Sequence, residues 1–143
     1  MKIVLDTNIL LQSLAHKSTG RPIWDAFLNE KFSLILTTSI LLEYEEIIAR
    51  KTSEQVANNV LALLRESINS KFIDIYYEWN VITEDVDDNK FFDAAVAGNA
   101  DYLVSNDTHF NEATKIEFPK VNIVNANAFL KIIQFSGKPE IDT

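Results

Sequence analysis

The sequence predicts an α/β domain built on a mainly parallel sheet. Two observations lead there. Short apolar runs alternate along the chain with longer stretches whose apolar residues recur at helical spacing. The apolar runs lack strict alternation, the pattern of strands covered on both faces by helices.

Residues 2–5 form the first apolar run and end at Asp6, a first strand. Residues 9–14 are apolar and helical. Pro22 suits the first turn of a second helix with Ile23, Ala26 and Phe27 on one face. Residues 32–36 read as a second buried strand. Thr37, Thr38 and Ser39 offer caps for a helix running to about Arg50. Ser53 can cap the next, in which Val56, Val60, Leu63 and Leu64 lie at i, i+4, i+7 and i+8. Residues 72–75 read as a third strand, and 76–88 as an irregular segment ending in acids. Residues 89–99 are helical, with Phe91, Ala94, Ala95 and Gly98 on one face. Residues 102–105 and 121–124 are further strands. Asn125 can cap a last helix bearing Phe129, Ile132 and Ile133. Residues 1–135 are expected to form a single domain, and 136–143 a polar tail containing Gly137 and Pro139.

Composition narrows the function. The 143 residues are 47% hydrophobic and 24% charged, values ordinary for one globular domain with a real core. There is no cysteine, which excludes disulfides, thiolate zinc sites and a cysteine nucleophile. The longest charge-free stretch, residues 32–42, contains Ser33, Thr37, Thr38 and Ser39 and falls short of the about 20 apolar residues a spanning helix needs. Asp6 interrupts any signal-peptide apolar region. A cytoplasmic protein without membrane association is therefore expected. The net charge of −8 opposes generic binding to polyanions, so action on nucleic acid requires local basic residues or bound cations.

The acids are placed informatively. Ligands of parallel sheets gather beyond the carboxyl ends of the strands. Asp6 follows the first strand and Asp107 follows the strand over 102–105. Asp87 and Asp88 open the helix between them, and Glu43 lies early in the helix after the second strand. One such acid alone is a cap or a solvated loop residue. Several at one sheet edge repel one another and imply a cation or shared protons. Oxygen ligands without cysteine suit Mg²⁺ or Mn²⁺. Ile40, Leu41, Tyr44, Ile47 and Ile48 mark the buried face of the Glu43 helix. Glu43 flanks that face near the helix start, whereas Glu46 points outward and Glu45 lies at the other edge. Asp93 lies about 140° round its helix from Asp88 and is left as an outer candidate. Asp74 and Asp85 read as surface acids, and His109, near Asp107, as a loop histidine.

Two segments together resemble the PIN-domain ribonucleases. One is Leu5-Asp6-Thr7-Asn8-Ile9-Leu10. The other runs Asp85-Val86-Asp87-Asp88-Asn89-Lys90-Phe91-Phe92, then Ala95, then Ala100-Asp101-Tyr102-Leu103-Val104-Ser105-Asn106-Asp107. The resemblance covers about residues 1–133 and is greatest to the bacterial and archaeal subgroup described as toxin components of toxin–antitoxin systems. It implies a three-layer α/β/α fold and a site for Mg²⁺ or Mn²⁺ on Asp6, Glu43, Asp88 and Asp107. It also implies that Asn8 and Ser105 orient those carboxylates. RNA would be the substrate, an antitoxin protein a partner, and a homodimer the assembly. Val86 and Asn106 depart from the family's usual proline and glycine. Two other readings compete with a nuclease. An aspartyl phosphatase usually needs a second acid where Asn8 stands. A degenerate PIN-like or receiver-like domain would bind RNA, metal or a protein without catalysis.

Overall fold

The computed structural model describes residues 1–136; the expected tail from Gly137 onward lies outside the described residues. The chain forms β1 (Lys2–Leu5), α1 (Thr7–Leu14), α2 (Arg21–Leu28), β2 (Ser33–Leu36), α3 (Thr38–Lys51) and α4 (Glu54–Glu66). There follow β3 (Ser70–Phe72), a 3₁₀ turn (Val86–Asp88), α5 (Asn89–Ala97) and β4 (Tyr102–Val104). A second 3₁₀ turn (Thr108–Phe110), α6 (Asn111–Thr114), β5 (Ile123–Val124) and α7 (Ala126–Ser136) complete it. Ser136, assigned by sequence to the tail, closes α7.

The expected caps form. The Thr37 hydroxyl accepts from the Ile40 N–H at 3.1 Å and the Ser53 hydroxyl from the Val56 N–H at 3.1 Å. Asn125 Oδ1 accepts from the Ala128 N–H at 2.8 Å. Pro22 occupies the first turn of α2, where no backbone donor is missed.

The five strands are all parallel, in the order β3-β2-β1-β4-β5, and helices flank the sheet. The chain lays β2 and then β3 on one side of β1, and returns to lay β4 and β5 on the other. The order therefore reverses between β1 and β4, and crossover loops part at their carboxyl ends to leave a crevice. Register holds this place tightly, since Leu5 pairs with Val104 and the Asp6 N–H bonds the Val104 carbonyl at 3.1 Å. Ile3, Val4, Leu5, Leu34, Ile35, Leu36, Leu103 and Val104 are all buried, as strands covered on both faces must be. The C-terminal end of α5 approaches β2 at Gly98, where an added Cβ would lie 2.7 Å from Ile35 Cδ1.

Two features depart most from the sequence reading, and the irregular segment expected before α5 is observed. The third strand is Ser70–Phe72, shifted toward the N-terminus from residues 72–75. Asn69 is buried and donates to the Phe27 and Phe32 carbonyls at 2.8 and 2.9 Å, which fixes Ser70 opposite Leu34. Ile73 and Ile75 still pack on the core, but from beyond the strand. The stretch after β4, left unassigned, forms a 3₁₀ turn and α6 that bury Phe110 and Ala113. The irregular segment after β3 is tied to α5 at two points. The Trp79 N–H bonds Asp93 Oδ1 at 3.1 Å. Asn89 accepts from the Ile82 N–H at 2.8 Å and donates to the Ile82 and Val86 carbonyls at 2.9 and 3.2 Å.

Ile82 and Asn89 are both buried, so removing the amide strands backbone groups away from water. Asn89→Ala should lower unfolding stability by about 1–3 kcal/mol. It should also speed hydrogen exchange of the Ile82 amide well beyond that of β1 amides. Denaturant unfolding and native-state exchange measure the two effects.

Candidate active site

Asp6 is the residue at which β1 ends and α1 begins. Its extended backbone makes it the helix cap, and its Oδ1 accepts from the Asn8 and Ile9 N–H groups at 2.7 and 3.4 Å. Its Oδ2 accepts from the Ser105 hydroxyl at the end of β4. Ser105 Oγ in turn accepts from the Asp107 N–H at 3.0 Å, and Asp107 Oδ1 accepts from the His109 N–H at 2.9 Å. One hydroxyl thus sets both the Asp6 carboxylate and the turn that carries Asp107. Tyr44, buried on α3 beneath them, donates its hydroxyl to the Leu5 carbonyl at 2.5 Å.

Asp88 comes from the turn that opens α5. It makes no cap bond to its own helix, so its carboxylate is left for the crevice. His109 Nδ1 stands 3.2 Å from Asp88 Oδ2 and 3.2 Å from Asp107 Oδ1, with Nε2 3.5 Å from Glu84. Glu43 reaches in from α3. Thr7, on the first turn of α1, donates its hydroxyl to Glu43 Oε2, and Lys90 Nζ lies 2.8 Å from Oε1. Asp6, Asn8, Glu43, Asp85, Asp87, Asp88 and Asp107 line one open cleft of about 310 Å³, with Arg50 and Lys51 on its wall.

The structure therefore brings Asp6, Glu43, Asp88 and Asp107 to the same cleft. Ser105 touches two of them. Asn8 meets Asp6 through its backbone N–H, and its side chain is exposed. Asp93 lies apart, buried and spent on the Trp79 N–H. Glu45 and Glu46 are exposed along a different groove beside Leu42. Thr7, Asp85, Lys90 and His109 also stand at the site, although the sequence reads Asp85 as a surface acid, His109 as a loop histidine and Lys90 as a lysine able to supply local positive charge. Asp85, Asp88 and His109 could present ligand atoms within 4.8 Å of one another. For Thr7, Lys90 and His109 the only signal was adjacency, one residue from Asp6 or two from Asp88 and Asp107.

Charge is concentrated here at a cost. Burial pushes the Asp6 carboxyl above its usual range, against the Ser105, Asn8 and Ile9 donors, with Asp107 adding repulsion. Burial raises Asp88 to about 6, reinforced by the charge of Asp85 and opposed by the His109 bond. The hydrogen bond to Asp88 raises His109 above its ordinary 6.5.

The profile for the PIN domain matches residues 2–109. The chain belongs to the PIN domain family. Asp6, Glu43, Asp88 and Asp107 all fall within that matched span of the PIN domain. Among the solved structures that resemble it in fold is that of VapBC2 from Rickettsia felis bound to a DNA fragment from their promoter. It has TM-score 0.60 and 18% identity, over 87% of this chain and 98% of that one. Another is VapC20 from Mycobacterium tuberculosis, described as a Sarcin-Ricin loop cleaving toxin. It has TM-score 0.60 and 14% identity, over 80% of this chain and 97% of that one. No curated protein matches the sequence.

The pKa shifts set a pH dependence for the metal-free protein. Asp88 binds its proton more tightly folded, at about 6, than unfolded, at 3.8, so stability falls as pH rises from 4 to 6. His109 is raised, so its contribution is present below 6.5 and lost as pH rises through its folded value. The two losses have the same sign. Thermal melts in EDTA should therefore show Tm decreasing from pH 4 toward pH 8. Asp88→Asn should flatten the limb between pH 4 and 6 and melt above wild type at pH 7.5. A variant melting below wild type there would mean that Asp88 supports the fold more than it strains it.

Proposed function

We propose that this PIN-domain protein is a metal-dependent endoribonuclease and the toxin of a toxin–antitoxin pair. The observation that carries the reading is the convergence of Asp6, Asp88 and Asp107 at the switch point, with Glu43 on the facing wall. Their donor set is hard oxygen, with the His109 nitrogen beside it, and its carboxylates are strained first by burial and then by mutual charge. Such a set fits a divalent ion, and Asp6, Asp88 and Asp107 would hold Mg²⁺ or Mn²⁺. When bound, the ion supplies a water of lowered pKa and charge for a phosphoryl oxygen.

The chain's own groups do the rest. Ser105 and the α1 amides fix Asp6, so its carboxylate needs no reorganisation when charge is brought in. Thr7 and Lys90 fix Glu43. Arg50 and Lys51 on the cleft wall offset the repulsion between an acidic protein and an RNA backbone. No serine or cysteine nucleophile is required. The VapBC2 and VapC20 structures carry toxin or toxin–antitoxin descriptions, and VapC20 is said to cleave the Sarcin-Ricin loop, which supports RNA as substrate and an antitoxin as partner. Residues 1–135 act as one catalytic domain, assembled as a homodimer in the cytoplasm. No helix among the described residues is long and apolar enough to cross a membrane.

Two measurements test this. With Mn²⁺ and a panel of structured and unstructured RNAs, wild type should cleave and EDTA should abolish cleavage. Asp6→Asn and Asp107→Asn should each lose at least about a hundredfold in rate while keeping the wild-type circular dichroism. Glu43→Gln should cost more than Glu46→Gln, because Glu46 is exposed on another groove. Retained activity in both aspartate variants would overturn the site. For the toxin role, induced expression should arrest growth and Asp6→Asn should relieve the arrest.

A further inference from the structure

Lys90 sits in the first turn of α5, two residues beyond Asp88 and therefore about 200° round the helix from it. It lines a groove with Ile75, Glu78, Asn80, Asp87 and Asp93, and Asp87 joins that groove to the acidic cleft. The ammonium ends 2.8 Å from Glu43 Oε1, on a helix 47 residues earlier in the chain. Both side chains are 22% exposed, so this is a sheltered pair rather than a surface one. The other Glu43 oxygen takes the hydroxyl of Thr7, which is itself buried. Each oxygen of Glu43 thus has a donor supplied by the protein.

The cleft is divided by this arrangement. On one side stand Asp6, Asp88 and Asp107, with the His109 imidazole set between the last two. On the other, Glu43 is already neutralised. A pair of divalent ions about 3.5–4 Å apart needs carboxylates for both ions. An ion taken up by Glu43 Oε1 would share an oxygen with a fixed ammonium and be repelled by it. We propose that Lys90 is a resident cation of the cleft, occupying the place a second divalent ion would take, so that the site holds one ion and not two. The proposal rests on reading the cleft as a divalent-ion site. It also gives Lys90 a use beyond Glu43: an ammonium has three donors, and one is spent on the carboxylate. The remaining two are available to water or a phosphate oxygen beside Glu43.

The test counts ions and needs no substrate. Mn²⁺ bound per chain is measured from the loss of the free-ion signal in electron paramagnetic resonance, with circular dichroism confirming the fold of every variant. Wild type should bind one ion. Lys90→Arg keeps the charge and should bind one. Lys90→Met frees Glu43 and should bind two, and the double variant Lys90→Met with Glu43→Gln should return to one. Two ions in wild type, or one in Lys90→Met, would overturn the role of Lys90 while leaving the divalent-ion reading of the cleft intact. No ion in wild type would instead overturn that reading itself, and Lys90 with it. If Lys90→Met does not fold, Glu43→Gln alone decides. It should still bind one ion, and binding none would show that Glu43 is a ligand of the first.

Discussion

The pairing of β1 with β4 is the constraint on which the site depends. Leu5 and Val104 are held in register in the middle of the sheet, and each strand ends there in a polar residue. Asp6 and Ser105 are brought together because their strands are parallel neighbours, and the Ser105 hydroxyl then bonds Asp6 and orders the backbone toward Asp107. Residues 99 apart in the chain become a single hydrogen-bonded unit. An antiparallel pairing would send one of the two ends to the opposite edge of the sheet. The reversal of strand order at the same place keeps the crossover helices apart and leaves the crevice open above these residues.

Asp6 shows how structural and chemical demands meet in one side chain. One oxygen satisfies two of the orphan amides at the start of α1, which helix formation requires. The other is turned by Ser105 toward the cleft. The capping bonds lower the cost of keeping a buried carboxylate charged, yet burial still outweighs them. The cleft accumulates such costs, since Asp85, Asp88 and Asp107 add further negative charge. Lys90 and His109 offset part of it from within the fold, each fixed on a different acid. Stability is drawn instead from the apolar strands below and from Tyr44, whose buried hydroxyl braces the Leu5 carbonyl beneath the site.

The segment after β3 shows a different case, in which an acid near the site is tied to the backbone of a loop. Asp93 and Asn89 both use their side chains to satisfy backbone groups of an irregular stretch that has no ladder of its own. Asp93 follows Asp88 by five residues and faces away from it, so the helix presents one acid to the cleft and the other to the loop.

Local patterning was enough for the central strands, the positions of the six described helices of eight or more residues and several caps, because period, apolar runs and capping hydroxyls act over a few residues. The ends of those strands marked Asp6 and Asp107, and helix phase favoured Glu43 over Glu46. What sequence could not place was anything fixed by a distant partner. The third strand moved because buried Asn69 anchors it to carbonyls of Phe27 and Phe32, some 40 residues away. The turn and short helix after β4 owe their form to burial of Phe110 and Ala113 and carry little period of their own. Lys90 has no local signal of a partner in the sequence and His109 reads as a loop histidine until α3 brings Glu43 to one and α5 brings Asp88 to the other. Sequence alone determined the parallel α/β class and which acids end its strands, since both follow from residue order and spacing. Tertiary structure alone decided which charges face them, because an ion pair across 47 residues has no local signal in the chain.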